Sequence, residues 1–184
     1  MVSLAELWLP ILVSAVFVFI ALNILWMALP FWHSRDYQKL PDEAPFMAGS
    51  VAARPGMYMY PKMDWKTMTP EDRANLHTGP SGLIYLKNPA TFSFGRTLGT
   101  YFLYTLLGSF CAAYIASETL PRGVEYMRVF QIAGATGMIF WAFGTNFSDT
   151  IWYGKPWAVA IKHVVDALIF GLLIGGTFGW LWPS

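Results

Sequence analysis

A single cysteine, Cys111, leaves the chain without an intramolecular disulfide framework. It lies in an apolar run, where a lone thiol behaves as a small hydrophobe. Charge is scarce as well: Asp, Glu, Lys and Arg make up 12% of 184 residues, and the formal net charge is +1. That balance excludes the concentrated basic face that nucleic-acid binding needs. Signatures of catalysis are also missing. There is no phosphate-cradling glycine loop, no dinucleotide fingerprint, no nucleophile elbow and no zinc-protease helix. With no catalytic set, an enzyme is the weaker expectation.

What the chain does have is apolar length. Hydrophobic residues make up 55% of it and aromatics 17%, a composition outside the range of soluble domains. The scarce charge is also segregated, with eight of the twelve Lys and Arg between Phe31 and Arg96. Crossing a hydrocarbon layer takes about 20 largely apolar residues. Four stretches meet that length, at 7–29, 98–117, 127–147 and 157–182. Pro30, Pro121, Pro156 and Pro183 mark their ends, and Trp8, Trp26, Trp32, Trp152, Trp157, Trp180 and Trp182 crowd the same places, as at membrane–water interfaces. The expected fold is therefore an all-α polytopic membrane protein, a single domain with four transmembrane helices. A long Pro-rich loop, 31–95, separates the first two. The first span lacks a basic leader and a small-residue cleavage site, so it is expected to remain as an anchor.

Orientation follows the basic residues. With the N-terminus outside, ten Lys and Arg fall on the inner side, and only Arg122 and Arg128 lie outside. The expectation is a bacterial inner-membrane protein with both termini outside and the long loop cytoplasmic. Seven prolines punctuate that loop, too often for long helices. One short helix is expected from Thr69 as N-cap, through Pro70, Glu71 and Asp72, to about His77, which is expected to be solvated. Gly79 and Pro80 should end it, and Gly82–Lys87 reads as a short strand or a membrane-surface segment.

Two faces of the last span stand out. With Asp166 set at zero on a helical wheel, Lys162 lies at about −40° and His163 at about 60°, while Gly171, Gly175 and Gly179 lie at about 140° to 220°. Small residues at spacing four allow helix backbones to approach closely in lipid. Matching sets occur at Gly108, Ala112 and Ala116 and at Ala133 and Gly137. A helix with glycines on one side and ionisable groups on the other belongs between neighbours. An unpaired carboxylate at Asp166 would cost about 2.5–3.5 kcal/mol. The local expectation is an intrahelical Lys162–Asp166 pair at i, i+4, shared with His163 and tied to Asn23, Thr105 or Gln131.

No cofactor is expected. Two competing readings remain: haem held by His33 and His163, and copper held by thioethers at Met57, Met59 and Met63. The stretch from Gly144 to Trp182 joins an apolar helix, the segment DTIWYGKPW and a glycine-bearing final helix. Covering about a fifth of the chain, it resembles the last two helices of an uncharacterised family of small bacterial four-helix membrane proteins. The long loop departs from that pattern, and the resemblance implies topology alone. The leading functional expectation is a non-catalytic membrane subunit that packs in the bilayer against other subunits or copies of itself. The alternative is a small transporter, channel or proton-relay element using Asp166, His163 and Lys162.

Overall fold

The computed structural model describes residues 2–62, 66–75, 78, 81–144 and 146–184. Met63, His77, Gly79 and Pro80, which carried expectations above, lie outside the described residues. The chain divides into two compact units. The first unit comprises Met1–Tyr37, Ser93–Phe147 and Pro156–Ser184; the second comprises Gln38–Phe92 and Ser148–Lys155.

The first unit is a helical bundle. A 3-10 turn, Leu4–Leu7, leads into α1, Trp8–Asn23, which continues as a π-helical turn, Ile24–Ala28. Glu6 caps the entry by accepting from the backbone N–H and the hydroxyl of Ser3. After the long excursion of the second unit come α4, Phe94–Thr119, and α5, Tyr126–Phe143. The short helix α6, Asn146–Tyr153, precedes α7, Trp157–Trp180. Helix α4 starts four residues earlier than its apolar run, because Ser93 takes an extended N-cap conformation and its hydroxyl accepts from the Arg96 N–H. Gly123 turns the chain between α4 and α5 with φ 65°, a conformation glycine adopts without steric cost.

The expectation of four crossing helices is not met. Among the described residues three helices are long and apolar enough to cross a membrane: Leu4–Ala28, Phe94–Thr119 and Trp157–Trp180, with mean hydropathies of 2.5, 1.4 and 1.9. The expected third span, 127–147, is α5, which stops after 18 residues at Gly144. Its opening turns carry Arg128 and Gln131, and Gly134, Thr136 and Gly137 add little apolar surface. Ala and Gly made the stretch look apolar by default, but they bring little transfer free energy.

The bundle is small inside and large outside. Ala15, Ala112, Ala113, Ala116, Ala133, Ala142, Ala160 and Ala167 are fully buried. Leu103, Ile139, Ile161 and Leu172 face outward, half or more exposed. Water would penalise that distribution, whereas lipid favours it and leaves small residues to set the helix contacts. This is the pattern of an integral membrane protein.

The glycine stripe of α7 packs against α5. A Cβ on Gly171 would stand 2.7 Å from the Gly134 carbonyl oxygen, and one on Gly175 would stand 2.6 Å from that of Phe130. Gly137 meets Ile174, and Gly179 meets the ring of Tyr126. The two helices are therefore in backbone contact along antiparallel paths. Gly108 lies against Phe140 and Trp141, while Ala112, Ala116 and Ala133 are core positions. Gly134, which the spacing rule passed over, lies against both Gly171 and Gly175. Glu6 pairs with Arg122, the Gly123 N–H donates to the Pro183 carbonyl at 3.0 Å, and Trp182 donates to the Pro121 carbonyl at 3.0 Å. Both termini thus sit at one end of the bundle, beside the α4–α5 turn.

In the second unit, β1, Gly56–Tyr60, pairs antiparallel with β2, Gly82–Leu86, in the register Gly56↔Leu86 to Tyr60↔Gly82. The unit also contains α2, Ala44–Ser50, and α3, Pro70–Asn75. Helix α3 starts as expected from its cap: the Thr69 hydroxyl accepts from the Asp72 N–H at 3.1 Å, and the Asp72 carboxylate accepts from the Thr69 N–H at 2.9 Å. These bonds hold the Asp72 carboxyl below its ordinary range. The strand β1 and the helix α2 were not legible in the sequence.

Candidate functional site

The ionisable face of α7 meets the segment that follows α1. Leu29 donates its N–H to the Ile24 carbonyl, an i→i+5 bond that closes the π turn. Pro30 cannot continue the helix, and the chain turns through Trp32 N–H to Leu29 carbonyl and Asp36 N–H to His33 carbonyl. These turns point Trp32, His33 and Asp36 at the first turns of α7.

The contacts form one connected cluster. His33 Nε2 lies 2.8 Å from Asp166 Oδ2, and its Nδ1 lies 2.7 Å from Asp36 Oδ2. The Trp32 indole N–H donates to Asp166 Oδ1 at 2.7 Å. The Lys162 ammonium donates to the Trp32 carbonyl at 2.6 Å and also to Asp36 Oδ1. It stands 5.8 Å from the centroid of the Trp32 ring, within cation–π range. Trp26 stacks on His33 at 4.0 Å between centroids, and His163 packs edge-on against both rings at 5.7 Å. Little of this reaches solvent, since side-chain exposure is 2% for His33, 5% for Asp166 and 6% for Asp36.

The intrahelical Lys162–Asp166 pair is therefore replaced by two longer-range contacts. Asp166 bonds to His33 and Trp32, while Lys162 bonds to Asp36 and the Trp32 carbonyl. Partners 126 or more residues away in sequence orient both side chains better than a flexible i, i+4 pair on one helix. Nor do the expected tethers reach Asp166: Asn23 donates to the Phe19 carbonyl, Thr105 to the Phe102 carbonyl, and Gln131 is exposed.

Counting donors fixes the proton inventory. Burial pushes the Asp36 carboxyl up, but hydrogen bonds from Lys162 and His33, reinforced by their charge, win and hold it below its ordinary range. Asp36 is thus an anion, which can only accept. His33 Nδ1 must then carry a proton. The opposite nitrogen faces a second carboxyl group, and two lone pairs at 2.8 Å would repel. One further proton consequently lies between His33 Nε2 and Asp166 Oδ2, drawn on either atom. In both forms the charges of Asp36, Lys162, His33 and Asp166 sum to zero.

Haem does not fit His33, because both of its ring nitrogens are committed to carboxylates and its ring touches that of His163. Met57 and Met59 lie on β1, in the other unit. Among the described residues no group of three or more His, Cys, Asp or Glu is arranged to hold a metal ion. Trp32 and Asp36 were missed in the sequence, although a signal was there. His33 and Asp36 at i, i+3 repeat the spacing of His163 and Asp166.

Compared with protein-family models, with curated proteins and with solved structures, the chain matches none.

Proposed function

We propose that this integral membrane protein is a proton-coupled element, in which the His33–Asp166 pair takes up and releases a proton near one membrane face. The observation that carries the reading is His33 between two carboxylates, Asp36 and Asp166, at 2.7 and 2.8 Å. An imidazole in that position accepts a proton on one nitrogen and gives up another from the opposite one. Asp36, fixed as an anion by Lys162, forms the outer end of the chain of hydrogen bonds, and Asp166 the inner end. An ionisable residue inside a span is a functional hypothesis by default.

The reading gains over a packing subunit because the glycine stripe, which needs a neighbouring helix in this chain or in another, is met by α5 of the same chain. A subunit role keeps one separate support, the exposed aromatic and thioether surface of the hairpin, with Met57 68%, Tyr60 61% and Tyr85 60% exposed. Such a surface suits another membrane subunit or a second copy. The excess of Lys and Arg in 31–96 favours a cytoplasmic position for the long loop, and this supports proton exchange on the cytoplasmic side of a bacterial inner membrane.

The test is proton flux into proteoliposomes carrying a trapped pH dye, driven by a potassium diffusion potential. Wild-type protein is expected to pass protons above the empty-vesicle leak, and Asp166→Asn to return the rate to that leak. Equal rates for the two would sink the reading.

A further inference from the structure

Hydroxyls buried among apolar helices usually satisfy themselves by bonding to a carbonyl one turn back. In this bundle Ser14, Thr105, Ser117 and Thr177 do so, to the carbonyls of Pro10, Phe102, Tyr114 and Leu173. Ser109 does not. It is fully buried on α4, and its hydroxyl has no hydrogen-bond partner among the described residues. The same is true of the indole N–H of Trp141 on α5. A buried polar atom without a partner is rare enough in folded proteins to require a reason, and an ordered water is the commonest one.

The two orphans come from adjacent places. A Cβ on Gly108, the residue before Ser109, would stand 3.3 Å from Trp141 Nε1, so the indole nitrogen reaches α4 beside Ser109. The glycine keeps a side chain away from that nitrogen. Trp141 also extends back toward the charged cluster. Its ring lies 5.2 Å from that of Phe170, one turn beyond Asp166 on α7, and 6.4 Å from that of Tyr101. One turn beyond Asp166, next to Phe170, the interior thus holds an unmatched donor, with an unmatched hydroxyl close by on α4.

We infer that water binds between Ser109 of α4 and Trp141 of α5, and that this hydration site carries the proton path inward from Asp166. The chemistry suits water: Trp141 only donates, the Ser109 hydroxyl donates or accepts, and a water between them can do both. The second half of the inference rests on the proton-coupled reading above; the hydration site stands on the two orphaned atoms.

The experiment uses the full chain in detergent micelles, labelled with ¹⁵N at the tryptophan indoles. The Trp141 signal is assigned by its loss in Trp141→Phe, or by its shift in Ser109→Ala if the first variant does not accumulate. A magnetisation-transfer cross-peak from this N–H to water is the expected result; no such cross-peak overturns the site. In proteoliposomes Ser109→Ala should slow proton flux several-fold, while infrared titration of the Asp166 carboxyl band stays as in the wild type. A water cross-peak with full flux in both Ser109→Ala and Trp141→Phe overturns the inward path. Flux that persists in Asp166→Asn strikes instead at the proton-coupled reading, and the cross-peak alone then decides the hydration site.

Discussion

Replacing Asp166 separates hydrogen bonding from charge. In Asp166→Asn the amide oxygen can accept from the Trp32 indole, and the amide nitrogen can donate to His33 Nε2. His33 keeps its Nδ1 proton on Asp36, so every contact now at 2.7–2.8 Å retains a partner. Asp36 and Lys162 still cancel in charge. The expected cost is therefore below about 1 kcal/mol. In Asp166→Ala both the Trp32 N–H and His33 Nε2 lose their partner. At about 1–3 kcal/mol for each unsatisfied buried group, that variant should lose roughly 2–6 kcal/mol. At about 2–4 °C per kcal/mol for a chain of this size, the melting temperature falls by roughly 5–20 °C. Thermal unfolding in mild detergent, followed by tryptophan fluorescence, measures both variants. An Asn variant as unstable as the Ala variant would refute the reasoning, because it would mean that the site needs a charge rather than a shape.

Other expectations follow from the same contacts. Gly171→Ala, whose Cβ would lie 2.7 Å from the Gly134 carbonyl and 2.9 Å from Met138 Cβ, should cost about 1–3 kcal/mol by overpacking. Gly49→Ala, with nothing within 4 Å of its new Cβ, is the control and should unfold like wild type. Because the Asp36 carboxyl is held below its ordinary value, its stabilisation of the 29–36 turn is fully present above the unfolded value of about 3.9 and is lost as pH falls through the lower folded one. The loss of the turn that is linked to Asp36, followed by Trp32 fluorescence, should therefore be confined below about pH 3.9. In Lys162→Met the main lowering partner is gone, and the same transition should move to higher pH; an unshifted transition would remove Lys162 from the account.

The sequence made some of this legible and hid the rest for physical reasons. Helical geometry alone put glycines and ionisable groups of α7 on opposite sides, and these sides meet α5 and the 29–36 turn respectively. The carboxylate's partner was hidden by distance along the chain. Nothing local ties Asp166 to a histidine 133 residues earlier, so the i, i+4 rule offered Lys162 instead. The span count failed because alanine and glycine fill helices without favouring lipid strongly, and Arg128 and Gln131 tip α5 below the other three. The strand β1 escaped because GMYMY alternates two methionines with two tyrosines, all apolar enough to blur the period of two that marks a strand.

The wide turn at Ile24–Ala28 sets the angular phase of everything after it. A π turn holds one residue more than an ordinary helical turn, so it takes up a surplus residue while Leu29 still bonds the Ile24 carbonyl; were that residue kept and the turn tightened to i→i+4 bonding, the residues after it would rotate by about 100° around the axis. Trp32 and His33 would swing off Asp166 together, although no residue of the cluster had been altered. The wide turn after α1 is what keeps the two halves of the site in register.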